Sequence, residues 1–318
     1  MSFFSDVERS LVVRSRRIEA DGVVSLELAP ANGRDLPVWT AGSHIDLRLP
    51  DGVERQYSLC GDPADRSAWR IAVLLEPHGR GGSAYVHADI REGQTVRVRG
   101  PRNHFSFAAA PGERVALIAG GIGITPILAM ATAAEAAGAD WTLDYSGRSR
   151  ATMAFVDELR GRYGERVRLH PSDEGNRLDL SALAAFGGQL YCCGPTRLLD
   201  AVEAAGADLA PGAVHVERFE AKEFGEPVWT ESFEVEFVLS GLTLTVPPGR
   251  SILQVAEEND VLVPASCRSG TCGTCETPVL EGEVEHRDSI LTPEERSQNT
   301  LMMVCVSRAA CPRLLLDL

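Results

Sequence analysis

A multidomain fold is what the sequence predicts: an all-β segment of antiparallel strands, an α/β segment with a parallel sheet, and a final β-rich segment carrying four spaced cysteines. Three observations predict it. The 318 residues exceed what one ordinary core needs and suit two or three domains. Near Glu113 the apolar pattern switches from period-two alternation to continuous runs followed by helical stretches, and near Phe233 it switches back. Charge is uneven too: Trp229 to Leu318 holds fourteen acidic residues against six arginines, in a chain of formal net charge −14.

Taken in order, Val24/Leu26/Leu28, Ile45/Leu47/Leu49, Ile71/Val73/Leu75 and Val96/Val98 alternate with polar neighbours and are separated by turn residues, as in an antiparallel barrel or sandwich. Val115–Ala119 is an apolar strand before a helix, with Thr125-Pro126 reading as its N-cap and first helical position. Trp141–Tyr145 is a strand, Phe155–Tyr163 a helix, Gln189–Cys193 a strand and Thr196–Ala205 a helix. Strands alternating with helices imply a parallel sheet. A connector with Gly225 and Pro227 precedes renewed alternation at Phe233–Leu239 and Leu242–Val246, and Ser251 with Gln254 forms a capping box that opens a helix to about Glu258. The expected domains are 1–108, 109–228 and 229–318.

The acidic balance argues against nucleic acid, whose phosphates demand clustered cations. Lys222 is the single lysine. The start shows no secretory signal, so a cytoplasmic location is expected. Val115 to Ala134 runs without a charge, but Gly120, Gly121 and Gly123 break it, so strand, turn and helix account for it better than a membrane span.

Cys267, Cys272, Cys275 and Cys305 follow the spacing C-x4-C-x2-C, then a long gap and a last Cys, which is the plant-type [2Fe-2S] ligand pattern. Gly270 and Gly273 let the backbone approach the cluster and aim N–H groups at it. Disulfides and a four-cysteine structural zinc are the competing readings. The first is disfavoured without a secretion signal, and the second by the presence of only one C-x2-C knuckle. Two further motifs are weak alone. Arg55-Gln56-Tyr57-Ser58 groups a guanidinium, an aromatic ring and a hydroxyl, and its bland reading is strand packing. Gly120-Gly121-Ile122-Gly123-Ile124-Thr125-Pro126 feeds a strand into a helix N-terminus suited to a pyrophosphate, although a plain tight turn would read the same way.

These motifs, in this order, resemble the phthalate dioxygenase reductase family, from about Val12 to Leu318. The resemblance implies a flavin-binding antiparallel β-barrel, a nucleotide-binding α/β domain and a β-grasp ferredoxin domain. It implies FMN held by Arg55, Gln56, Tyr57 and Ser58, by the loop Gly79-Arg80-Gly81-Gly82-Ser83 and by the strand residues Ala72 and Val73. It implies NADH at Gly120, Gly121, Gly123, Thr125 and Pro126 and at Cys193-Gly194-Pro195, with Cys193 and Ser58 beside the reacting atoms and Glu217 and Phe219 near the flavin. Cys192, one residue before Cys193, points to the opposite face. The arginines of Ser146-Gly147-Arg148-Ser149-Arg150 could pair with a 2′-phosphate, yet NADH is expected over NADPH. The implied partner of this electron-transfer reductase is a Rieske non-heme iron oxygenase, with a haem monooxygenase as another acceptor and a non-catalytic cluster scaffold as the non-enzyme reading. A monomer is the expected state.

Overall fold

The computed structural model describes residues 7–50, 52, 54–79, 81–220 and 224–318, so Arg80 of the glycine loop and Lys222 lie outside it. The chain divides into two compact units, Met1–Glu217 and Arg218–Leu318.

In the first unit β1 (Glu8–Ala20), β2 (Val23–Ala29), β3 (Ser43–Arg48), β4 (Glu54–Ser58), β5 (Trp69–Leu74) and β6 (Thr95–Asn103) pair antiparallel in the order β4-β3-β6-β1-β2-β5. The sheet curls until its outer strands meet, where Leu59 bridges Ile71 and the Cys60 N–H donates to the Arg70 carbonyl at 2.8 Å. This is the expected antiparallel barrel in half-barrel form. β1 shows no clean alternation because Arg14, Arg16 and Arg17 crowd it, and its register against β2 shifts twice, between Val13 and Ser15 and between Ile18 and Ala20. A short helix α1 (Gly82–Ala88) follows the glycine loop.

The rest of this unit is a parallel sheet of β7 (Arg114–Gly120), β8 (Asp140–Gly147), β9 (Val167–Pro171), β10 (Gln189–Cys193) and β11 (Val214–Glu217), ordered β11-β10-β7-β8-β9. Helices α2 (Ile124–Ala137), α3 (Val156–Tyr163) and α4 (Thr196–Ala205) connect them. The order reverses between β7 and β10, which makes their carboxyl ends the topological switch point. The uncharged run Val115 to Ala134 is therefore strand, turn and helix, and among the described residues no helix is long and apolar enough to cross a membrane.

Thr125 does not cap α2. Gly121–Gly123 forms a 3-10 turn that runs straight into the helix, and Gly123 (φ −60°, ψ −7°) is already helical, whereas a capping residue takes extended backbone. Thr125 instead donates its hydroxyl to the Ile122 carbonyl at 3.0 Å. The barrel and one face of the parallel sheet share a continuous apolar core that includes Cys193. The other face has its own cluster, with Cys192, Ala116 and Leu190.

The second unit holds β12 (Phe233–Phe237), β13 (Leu242–Val246), α5 (Ile252–Glu258), β14 (Glu276–Glu281), β15 (Val284–Glu285), α6 (Pro293–Gln298), β16 (Leu301–Met303), β17 (Arg308–Ala309) and β18 (Arg313–Leu316). Its main sheet runs β13-β12-β18-β14-β16, with β12 and β18 parallel and the other pairs antiparallel. Ile252, Leu253 and Ala256 of α5 pack on Phe233, Val235 and Phe237, giving a β-grasp. The Ser251–Gln254 capping box is present. The connector packs within this unit: Arg287 donates to the Gly225 carbonyl at 2.6 Å and lies 5.1 Å over the Phe224 ring.

Candidate functional site

Cys267, Cys272 and Cys275 lie on the loop between α5 and β14, Cys305 lies just past β16, and all four are buried. Their thiols meet: Cys267 is in hydrogen-bond reach of Cys272 and Cys305, and Cys275 of Cys305. Among the described residues no group of three or more His, Cys, Asp or Glu is arranged to hold a single metal ion. Every cysteine is free of disulfides. Backbone N–H groups already aim at sulfur. Ser269 and Thr271 donate to Cys267 Sγ at 3.3 and 3.4 Å, and Thr274 donates to Cys272 Sγ at 3.4 Å. Accepting from Cys272 and Cys305 pushes the Cys267 thiol down, and the same contacts push those two donors up. Four buried, neighbouring cysteine sulfurs, with backbone N–H groups aimed at Cys267 and Cys272, fit a thiolate-bound iron–sulfur cluster.

The loop is held from behind. Gly270 takes φ 70°, and a Cβ there would stand 2.6 Å from Val306 and 3.1 Å from the Asp288 backbone, so only glycine fits. Ser289 donates its N–H to the Gly270 carbonyl at 2.9 Å. Asp288 is fully buried and accepts from the N–H groups of Ile290 and Leu291 at 3.0 and 2.8 Å. Those two hydrogen bonds are local, but nothing in the sequence around Asp288 shows that its backbone will stand against Gly270, since that contact forms only when the chain turns back.

On the barrel, Arg55, Gln56, Tyr57 and Ser58 form the end of β4. The structure brings Arg55 to the glycine loop: a Cβ on Gly82 would meet Arg55 Cγ at 2.6 Å and Nε at 2.8 Å, so the guanidinium arm lies across Gly82. Gly81 precedes it with φ 82°, and the Ser83 hydroxyl accepts from the Glu76 N–H at 3.0 Å. Burial pushes the Tyr57 phenol up to about 12, with Arg55 pulling the other way, so it stays a neutral donor. Gln56 is fixed by a partner outside its own motif. Its Nε2 donates to Asp46 at 3.1 Å, and Asp46, 1% exposed, is paired with Arg102 at 2.5 Å. Ala72 and Val73 are buried on β5, and the Val73 carbonyl is 2.9 Å from His87 Nε2 on α1. A guanidinium beside a turn of glycine N–H groups suits a phosphate, and the neutral phenol and the Ser58 hydroxyl suit a polar ring.

At the switch point the two glycine turns pack backbone to backbone. A Cβ on Gly123 would stand 2.2 Å from the Cys193 carbonyl oxygen, and one on Gly120 would stand 2.8 Å from Pro195 Cδ. Gly194 is equally tight, with its Cβ position 3.0 Å from Gly120 Cα. Gly121 takes φ 53°. The sequence suggests glycines that bare their N–H groups; the structure adds that three of them are needed for close approach. Neither α2 nor α4, which begin here, has a side-chain cap, in contrast to the capping boxes of α5 and α6. Two adjoining helix starts that no side chain caps suit the anionic pyrophosphate of a dinucleotide.

Cys193 ends β10 beside Glu217, which ends β11. Its Sγ lies 3.9 Å from Glu217 Oε2. Burial raises the Glu217 carboxyl to about 8, with the Cys193 thiol pulling it down, and burial next to that carboxylate pushes the Cys193 thiol well above its ordinary value. Both groups are therefore protonated at neutral pH, a polar pair without charge. Phe219 falls in the second unit, which begins at Arg218, and is 43% exposed.

A half-barrel and a nucleotide-type sheet on one core, followed by a β-grasp unit with four neighbouring cysteines, are the architecture of a redox protein that moves electrons. Residues 237–310 match the 2Fe-2S iron-sulfur cluster binding domain. The chain is 45% identical over 313 residues, 97% of each protein, to phenoxybenzoate dioxygenase subunit beta of Ectopseudomonas oleovorans. It superposes on phthalate dioxygenase reductase with a TM-score of 0.71 and 37% identity, covering 98% of both chains. An intact type IV self-sufficient cytochrome P450 monooxygenase is also similar, with a TM-score of 0.91 and 44% identity over 98% of this chain, which spans 41% of that longer one. The chain belongs to the phthalate dioxygenase reductase family.

Proposed function

We propose that the protein oxidises NADH, with FMN and a [2Fe-2S] cluster as its resident groups, and delivers electrons one at a time to a Rieske non-heme iron oxygenase. The observation that carries this reading is the set of N–H groups aimed at the sulfurs of Cys267 and Cys272, in the same chain as the uncapped helix starts at the switch point. When bound, the flavin accepts hydride from the nicotinamide and the cluster carries single electrons. The chain's own part is binding, orientation and exclusion of water. Arg55 with Gly81, Gly82 and Ser83 would hold the flavin phosphate, while Tyr57, Ser58, Ala72 and Val73 would border its ring. Gly120, Gly121, Gly123, Thr125, Pro126, Gly194 and Pro195 would line the dinucleotide. Cys193 and Glu217 would present a neutral, dry wall to the reacting nicotinamide, with Ser58 on the flavin side. Phe219 is assigned near the flavin by family resemblance.

The domain limits we assign are 1–108 for the flavin domain, 109–228 for the nucleotide domain and 229–318 for the ferredoxin domain. The gap between β6 and β7 supports the first limit. Cysteine ligation is assigned to Cys267, Cys272, Cys275 and Cys305. A monomer in the cytoplasm completes the reading.

Acid extraction of the purified protein tests it: one FMN, two irons and two sulfides per chain are expected, and bleaching of the flavin by NADH. Stoichiometric FAD sinks the flavin assignment. The partner is tested by reconstitution with a purified Rieske oxygenase and, separately, a cytochrome P450. Turnover with the haem protein alone would favour the second acceptor, which the similarity to the P450 monooxygenase keeps open.

A further inference from the structure

The strand next to β7 in a nucleotide-type sheet is the one whose carboxyl end reads the 2′ position of the adenosine ribose, and here that strand is β8. The chain leaves β8 as Arg148-Ser149-Arg150, and leaves its outer neighbour β9 as Ser172-Asp173-Glu174. The two exits are tied together. The Asp173 N–H and the Ser172 hydroxyl both donate to the Arg148 carbonyl, at 3.0 and 3.2 Å. Arg150 meets Glu174 with both arms of its fork, Nε to Oε1 at 2.7 Å and Nη2 to Oε2 at 3.1 Å. Ser149 and Thr152 close the turn that carries Arg150, the Ser149 N–H donating to the Thr152 hydroxyl at 3.3 Å.

Two cations and two carboxylates therefore stand at the place where a 2′-phosphate would have to bind, and their charges cancel. The guanidinium fork is engaged by a carboxylate in the bidentate geometry it would otherwise offer to a phosphate. We propose that Glu174 is a specificity-determining residue for the nicotinamide nucleotide: by engaging Arg150 and, with Asp173, neutralising this rim, it selects a ribose with a free 2′-hydroxyl and rejects one bearing a 2′-phosphate. The inference rests on the reading that the dinucleotide binds at the carboxyl ends of this sheet. A free hydroxyl needs no cation there. A phosphate dianion would have to displace Glu174 from Arg150 and then sit among two carboxylates, so like-charge repulsion is added to the loss of an existing ion pair.

The test compares the holoprotein with E174Q, which keeps the shape and removes the charge, with E174K, which adds a cation, and with R150A/E174Q. Steady-state turnover with ferricyanide gives kcat/KM for NADH and NADPH, and calorimetry with adenosine 2′,5′-bisphosphate gives binding without turnover. The NADPH to NADH ratio of kcat/KM is expected to rise at least tenfold in E174Q and further in E174K. The bisphosphate should bind at least fivefold more tightly to E174Q, and R150A/E174Q should lose that gain. A ratio and an affinity that stay flat in both single variants, in a protein that NADH reduces, overturn the assignment to Glu174 alone. A parent protein that already prefers NADPH overturns it as well. Failure of either nucleotide to reduce the parent protein brings down the reading of the site, and this assignment with it.

Discussion

Arg70 on β5 reaches Glu158 on α3 with both arms, Nη1 to Oε2 and Nη2 to Oε1 each at 2.9 Å, and so joins the half-barrel to the nucleotide sheet. The same guanidinium donates twice to the Cys60 carbonyl, at 3.2 and 2.7 Å, and lies 5.1 Å over the Phe155 ring. β5 also carries Ala72 and Val73, so one side chain links the strand assigned to the flavin with the helix that follows the Arg150 turn. A cleft of about 180 Å³ runs beside it, bordered by Glu27, Asp62, Thr132 and Arg162; it contains none of the assigned flavin or nucleotide residues.

Replacing Arg70 with Ala leaves the Glu158 carboxylate and the Cys60 carbonyl without this partner. The pair is partly exposed, so the loss is discounted to about 1–2 kcal/mol. Denaturant unfolding is expected to show a lower midpoint for Arg70→Ala, and a double-mutant cycle with Glu158→Gln should give a coupling energy above zero. Additive effects would show that the bidentate geometry contributes nothing.

Gly123→Ala sets a methyl group 2.2 Å from the Cys193 carbonyl oxygen, and backbone on backbone cannot yield as a side chain does. The turns must separate. Overpacking of this kind costs about 1–3 kcal/mol, and because the displaced atoms include Gly194, NADH affinity should fall along with stability. Gly121→Ala has open space around its Cβ but meets φ 53°, so it should lose stability with less effect on binding. Equal effects of the two substitutions on the NADH Kd would contradict the tight contact at Gly123.

The raised Glu217 carboxyl gives a pH dependence of definite sign. Folded, the group keeps its proton up to about pH 8; unfolded, it releases it near the ordinary carboxyl value of 4.5. The folded state thus binds more protons between these values, and stability falls as pH rises through that window. Glu217→Gln removes the titrating group. The variant's unfolding midpoint should gain on the parent's from pH 5 to 8 and then level off. A difference independent of pH would mean that Glu217 is ionised throughout.

How much of this could be read in the sequence depended on whether a signal was local. The Ser251–Gln254 capping box and the opposite faces of Cys192 and Cys193 are set within a few residues, and the structure shows the same arrangement. β1 escaped the pattern because its arginines and two register shifts break the alternation. The α2 start was misplaced because Thr-Pro mimics a cap where a glycine turn already is helical. Asp46 with Arg102 under Gln56, His87 on the Val73 carbonyl and Ser289 on the Gly270 carbonyl are partners from other elements. Their roles follow from topology, which no single stretch of sequence carries.

Cys305→Ser tests whether the two redox steps are separable. Cys305 comes from beyond β16, while its three companions share one loop, so of the four assigned ligands it is the one supplied from a remote part of the unit. A hydroxyl is a poorer ligand than thiolate for iron, and the cluster should be lost or become labile. The flavin and nucleotide residues of the first unit precede Arg218, and the barrel and parallel sheet share a core with no contribution from the cysteine loop. Flavin reduction by NADH and ferricyanide turnover should therefore keep most of the parent rate, while delivery to an oxygenase falls at least a hundredfold. Iron content and the cluster's visible absorbance, read on the same sample, show whether the ligand was removed. Loss of flavin reduction in that sample would show that the units are not independent, and delivery at the parent rate with full iron content would show that Cys305 is dispensable as a ligand.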